Sequence, residues 1–148
     1  MLILYIDTDN EMHTKIRESF LNSYDIECFE NLYDAYKWIK RNQIPDYIIT
    51  DFEMDQPTQL QSIKFLLTKI RLRNTKMIGY SKNVNAEYVR LAMMHKAVRL
   101  FAKSELIPAL KDYLNMVKSS KLTATEFVPE NSTRSLGALT IRIAMKKK

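Results

Sequence analysis

The chain holds one cysteine, two glycines and four prolines among 148 residues. It also lacks any apolar run near the ~18 residues that cross a bilayer. A lone Cys28 permits no internal disulfide and no cysteine-based zinc site, and within an apolar run it reads as a small buried hydrophobe. With glycine only at Gly79 and Gly137, neither a P-loop nor a dinucleotide-binding fingerprint can be assembled. The apolar start from Met1 to Ile6 is broken at Asp7, too early for a signal peptide, so the expected location is the cytoplasm. The two histidines, His13 and His95, are far apart and have no ligand neighbour at metal spacing; both read as surface residues.

Charge of one sign is scarce in the body and concentrated in the tail. The net charge is +6, but residues 1–118 carry 17 Lys and Arg against 15 Asp and Glu, whereas residues 119–148 carry 6 against 2. The basicity belongs to a solvated end, and no basic helix with base-reading side chains is visible, so no direct nucleic-acid role is read. Hydrophobic content of 46% and charged content of 27% are ordinary for a folded domain. The length fits one domain, expected at 1–118, followed by a basic extension or linker at 119–148 that begins a further domain or packs on the body.

Within 1–118 short apolar runs alternate with segments of helical period. Strands are expected at Leu2 to Ile6, Ile26 to Phe29, Tyr47 to Thr50, Met77 to Tyr80 and Val98 to Ala102, all rich in β-branched and aromatic residues. Five helices are expected from the stripes Met12, Ile16, Phe20; Leu32, Ala35 or Tyr36, Ile39; Leu60, Ile63, Leu67, Ile70; Val89, Ala92, Met93; and Leu110, Leu114, Val117. Pro108 suits the first turn of the last helix, and Trp38 reads as a partly buried packing residue. Beyond the body, Thr140 to Met145 has strand-like alternation. The pattern predicts an α/β fold, a doubly wound (βα)5 parallel sheet with helices on both faces.

In such sheets ligands lie outside the carboxyl ends of the strands. Those ends carry Asp7, Asp51, Ser81 and Lys103. Carboxylates ending apolar strands cost desolvation energy unless they are paired or used. The set suits phosphoryl transfer to a carboxylate: Asp51 as nucleophile, Asp7 and Asp51 as oxygen ligands of Mg²⁺, Lys103 as a point charge on a phosphoryl oxygen and Ser81 as a hydrogen-bond donor to another. Asp9 is a preferred helix N-cap residue that also lies within reach of a metal, and Glu53 is a further ligand for the metal, through its backbone or its side chain, or a carboxylate for Lys103.

The stretches LYIDTDNEMHTKIR, PDYIITDFEM, MIGYSKN and AVRLFAKS, in that order, resemble the receiver domains of two-component response regulators. The resemblance implies a flavodoxin-like sheet of order 2-1-3-4-5, phosphotransfer from a histidine kinase or phosphotransfer protein to Asp51, and a switch rather than an enzyme with its own substrate. It also implies a docking or homodimer surface on the fourth helix, last strand and fifth helix, which presents Arg90, Met94, Arg99 and Lys111. The chain departs from the family where Thr8 follows Asp7 in place of a second acid, where Met54-Asp55 and Lys103-Ser104 lack the usual prolines, and where Leu100 replaces an aromatic residue. Those departures motivate an alternative, a non-phosphorylated pseudo-receiver used as an interaction module. A remoter alternative comes from YIDTDN, which resembles the Asp-x-Asp signature of haloacid dehalogenase phosphatases and would make Asp7 the nucleophile.

Overall fold

The computed structural model describes residues 1–53, 72–94, 96–119 and the backbone of 128–129. The expected third helix, Met54-Asp55, His95 and Thr140 to Met145 lie outside the described residues. Strands β1 (Leu2–Ile6), β2 (Asp25–Phe29), β3 (Tyr47–Asp51), β4 (Lys76–Ser81) and β5 (Ala97–Ala102) form a parallel sheet in the order β2-β1-β3-β4-β5. Strand boundaries differ from the sequence expectation by a residue or so, with one consequence: Asp51 and Ser81 are the last residues of their strands rather than the first residues beyond them.

All five residues of β1 and of β3 are buried, as a central parallel strand covered on both faces requires. Successive side chains point to opposite faces and so build two cores. On one face Leu2, Leu4, Ile6, Ile48, Met77 and Leu100 meet Leu32, Ala35 and Ile39 of α2 (Leu32–Arg41) and Ala92 of α3 (Ala86–Met94). On the other, Ile3, Tyr5, Ile49, Ile78, Tyr80 and Phe101 meet Ile16 and Phe20 of α1 (Asn10–Phe20) and Leu106, Leu110, Tyr113 and Leu114 of α4 (Leu106–Lys118). Pro108 does lie in the first turn of α4, and Trp38 is half-buried against Phe29. Cys28 is half-buried on the edge strand β2.

Two expectations are corrected. His13 is buried, not at the surface: it shares the inward face of α1 with Ile16 and Phe20, and its ring meets Tyr5 edge-on at 5.7 Å. Met93 is exposed, and the inward contacts of α3 come from Tyr88 and Val89, four and three residues before the buried Ala92 and so on its face, with Leu91 at the margin of that face. The extension also contributes a sixth strand, β6 (Val128–Pro129), which lies parallel to β5 with Val128 opposite Arg99 and Pro129 opposite Leu100. Pro129 lacks a backbone donor, which an edge position tolerates. Among the described residues no helix is long and apolar enough to cross a membrane.

Candidate functional site

The strand order reverses between β1 and β3, and the crevice of the fold opens at their carboxyl ends. Ile6 lies beside Thr50 and Asp51 beside Tyr80, so the ends of β1, β3 and β4 stand in line. Lys103 leaves the end of β5 on a 3-10 turn (Lys103–Glu105) that leads into α4. Its ammonium stands 3.2 Å from Asp7 Oδ2, 3.6 Å from Asp9 Oδ2 and 3.8 Å from Asp51 Oδ2. One cation therefore sits among three carboxylates. Burial pulls the Lys103 pKa down, but Asp7, Asp51 and Asp9 outweigh it and leave the ammonium more strongly protonated than usual.

Asp51 is buried, and its Oδ1 accepts from the Glu53 amide at 2.8 Å, which fixes the carboxylate plane. Burial raises its pKa, opposed by that amide and by Lys103. Phe52 holds Asp51 in place from the next position: its amide donates to Tyr80 O at 2.8 Å, extending the β3-β4 ladder, and its ring packs over Gly79. A Cβ on Gly79 would lie 2.6 Å from that ring, so any side chain there would have to push the ring aside.

Asp9 has two roles at once. Its Oδ1 caps α1 by accepting from the amides of Glu11 and Met12, while its Oδ2 faces Lys103. The Met12 amide, followed by Lys103 and the Glu11 amide, holds its pKa below the usual value. Glu53 turns elsewhere, with Oε2 accepting from the Lys82 amide at 2.7 Å, so it ties the loop after β3 to the loop after β4. Ser81 Oγ is fully buried and has no hydrogen-bond partner among the described residues, and a buried unpaired hydroxyl costs about 1–3 kcal/mol that a ligand oxygen can recover. Thr8 is exposed and brings no carboxylate.

Asp7, 2% exposed, is the most enclosed of the acids. Its Oδ1 accepts from the Asp9 amide at 3.0 Å; its Oδ2 accepts from Tyr80 Oη at 2.6 Å, Tyr5 Oη at 3.1 Å and Lys103 Nζ at 3.2 Å. The two phenol oxygens are themselves 2.8 Å apart, and their rings stack with an interplanar angle of 5°. Burial and the Asp7 charge drive both phenol pKa values far up, with the contact between the phenols adding to the rise at Tyr80 and opposing it at Tyr5, so both stay protonated donors. Neither tyrosine stands out in the sequence, where each reads as an aromatic strand residue. The available signal is parity: Tyr5 precedes Asp7 by two and must share its face.

Mg²⁺ takes oxygen ligands at roughly 2.0–2.1 Å and keeps several waters, so it needs few protein oxygens. Asp9 and Asp51 each offer an oxygen that faces Lys103. Asp7 Oδ2 faces it as well, but there the oxygen also accepts from Tyr80 and Tyr5. Among the described residues no three Asp, Glu, His or Cys side chains are gathered as a ligand cage. Asp9 and Asp51 thus each turn one oxygen to where a largely hydrated magnesium ion could sit, whereas Glu53 Oε2 is engaged by the Lys82 amide.

The four residues expected to form a docking surface do not share one direction. Arg90 and Met94 lie exposed on α3, in contact through the Met94 sulfur at 3.6 Å. Arg99 is half-buried over the Tyr113 ring, and Lys111 leans across Phe20 toward α1.

Solved structures share this sheet architecture. A response regulator from Thermotoga maritima superposes with a TM-score of 0.69 at 14% identity, covering 80% of this chain and 97% of that one. The apo receiver domain of RcsB from Salmonella enterica serovar Typhimurium gives 0.71 at 16% identity, covering 88% and 93%. The chain has the receiver fold. A signal receiver domain of two-component signal transduction from Clostridium thermocellum shares it at TM-score 0.67 and 24% identity, covering 78% and 95%. No protein-family model matches the sequence, and no curated protein matches it.

Proposed function

We propose that this receiver-fold protein is a cytoplasmic signalling switch that accepts a phosphoryl group on Asp51 from a histidine kinase or phosphotransfer protein. The observation that carries this reading is the Asp51 carboxylate: buried at the end of a central strand, with one oxygen fixed by the Glu53 amide and the other facing Lys103. Asp51 Oδ2 attacks the phosphorus of a phosphohistidine, the P–N bond breaks, and the imidazole keeps the electron pair and takes a proton. Lys103 balances charge on the phosphoryl oxygens, and Ser81 Oγ gains the partner it lacks. Asp9 and Asp51 would hold Mg²⁺, which supplies positive charge against the incoming anion.

Once formed, the acyl phosphate adds about −1.5 to −2 charges beside Asp7 and Asp9, enough to draw Lys103 and Ser81 into new contacts and shift the adjoining loops. The signal then leaves through α3, β5 and α4 to a protein partner or a second copy, with Arg90, Met94 and Lys111 exposed on those helices. The chain acts as a phosphoacceptor with self-phosphotransfer and autodephosphorylation, not as an enzyme with a separate substrate.

A second reading, a non-phosphorylated interaction module, is favoured by the engagement of Asp7 with two phenols and Lys103. A phosphatase nucleophile at Asp7 is disfavoured by the same bonds, which crowd three donors onto its Oδ2. Incubation with a small phosphodonor and Mg²⁺, followed by intact-mass measurement, separates these readings. One labile phosphate on the wild type and none on Asp51→Asn supports the switch; no adduct on either supports the module.

A further inference from the structure

We infer that the segment after the body is a resident occupant of the output face: β6 (Val128–Pro129) closes the edge of β5, and a partner that adds a strand to β5 must first displace it. The inference rests on the reading that the signal leaves through α3, β5 and α4. It concerns access to that face and is independent of the chemistry at Asp51.

An open sheet edge presents a row of unpaired amides and carbonyls, and proteins blunt it with charge, proline or a covering segment. The two outer strands of the five-stranded sheet differ in this respect. Strand β2 carries its own protection in Asp25 and Glu27, both exposed. Strand β5 has little of its own: over Ala97–Ala102 its one charge is Arg99, whose guanidinium is drawn 4.9 Å over the Tyr113 ring toward α4. An apolar edge of six residues is a template for another strand, and in this chain that strand is β6.

The register centres β6 on β5, with Val128 opposite Arg99 and Pro129 opposite Leu100. Parallel pairing needs a long crossover after β5, and the path through α4 supplies it. Pro129 has no amide to offer a further strand, which suits the outermost position of a sheet. Charge agrees with the pairing: Glu126 and Glu130, the two acids among residues 119–148, flank β6 in the sequence, whereas Arg90, Arg99 and Lys111 make the elements around β5 cationic. Among the described residues the pairing uses two of the six positions of β5, so a partner strand that pairs along the whole edge has more bonds to offer and can take its place.

Residue-resolved amide hydrogen exchange on the whole chain tests this, against a variant in which residues 126–130 are replaced by a glycine-serine stretch of equal length. In a parallel strand alternate amides point to opposite neighbours, so one set in β5 is directed at β4 and the other at β6. The set directed at β6 should exchange about tenfold faster in the variant, while the set directed at β4 stays as slow as in the wild type. A synthetic peptide of residues 124–132 should restore the slow rate in the variant and change nothing in the wild type. Equal rates in the two chains overturn the inference: fast in both means that β6 does not pair, and slow in both that another segment or a second copy covers the edge. A variant whose β4-directed amides also lose protection overturns it as well, since β6 would then be part of the core sheet and not a displaceable cover. So does a peptide that fails to restore the rate, or that binds the wild type equally. No phosphoryl group enters the measurement, so failure of Asp51 to accept phosphate would leave its outcome intact.

Discussion

Tyr80 Oη lies 2.6 Å from Oδ2 of Asp7, reaching beneath the end of the central strand β3 from β4 toward β1. The bond ties two strands that are not neighbours through a fully buried phenol and a carboxylate, and it supports the acid that holds Lys103.

Tyr80→Phe should therefore destabilise the fold by about 1.5–3 kcal/mol, the range for a hydrogen bond to a charged group. Urea denaturation against Tyr33→Phe provides the comparison, because Tyr33 is 66% exposed and its hydroxyl should count for almost nothing. Equal midpoints for the two variants would show that the Tyr80 bond carries no weight.

Gly79→Ala should cost about 1–3 kcal/mol through overpacking, because the new methyl meets the Phe52 ring at 2.6 Å. Phe52→Leu in the same chain should recover most of the loss. A double-mutant cycle measures that coupling, and simple additivity would mean that the ring moves aside freely.

Asp51→Asn should raise stability at neutral pH. Burial lifts the folded-state pKa of Asp51 above its unfolded value, so the ionised form opposes folding above that folded pKa. The opposition fades as pH falls through the folded pKa toward the unfolded one, where the carboxyl is protonated in both states. The gain in melting temperature should thus be largest near neutrality and shrink on acidification. A gain that grows on acidification would reverse the sign.

Much of this architecture is legible in the sequence because it depends on period and order. The runs around Ile3, Ile49 and Ile78 alternate with helical stripes such as Ile16 and Phe20, and that order alone brings Asp7, Asp51 and Lys103 to one edge. What escapes a linear reading is the far end of an amphipathic side chain. Tyr5 and Tyr80 carry rings that fill the core and hydroxyls that meet at Asp7, and only the register of three strands brings those tips together. His13 escapes for a similar reason, since its burial depends on the ring of Tyr5 opposite it. Asp9 was expected to cap α1, and that bond is local; its second oxygen finds Lys103 nearly a hundred positions away, which no local rule foresees. Lys111 shares a helix with Leu110, yet its long stem leans over Phe20, so its direction follows from packing rather than from helical position.

The central claim is that Asp51 is the residue modified. Borohydride reduces an acyl phosphate to an alcohol, so phosphodonor treatment followed by reduction and peptide mapping places the modification on one residue. The account predicts homoserine at position 51 in the wild type. Homoserine at position 7, or an unchanged aspartate at both positions, would contradict it.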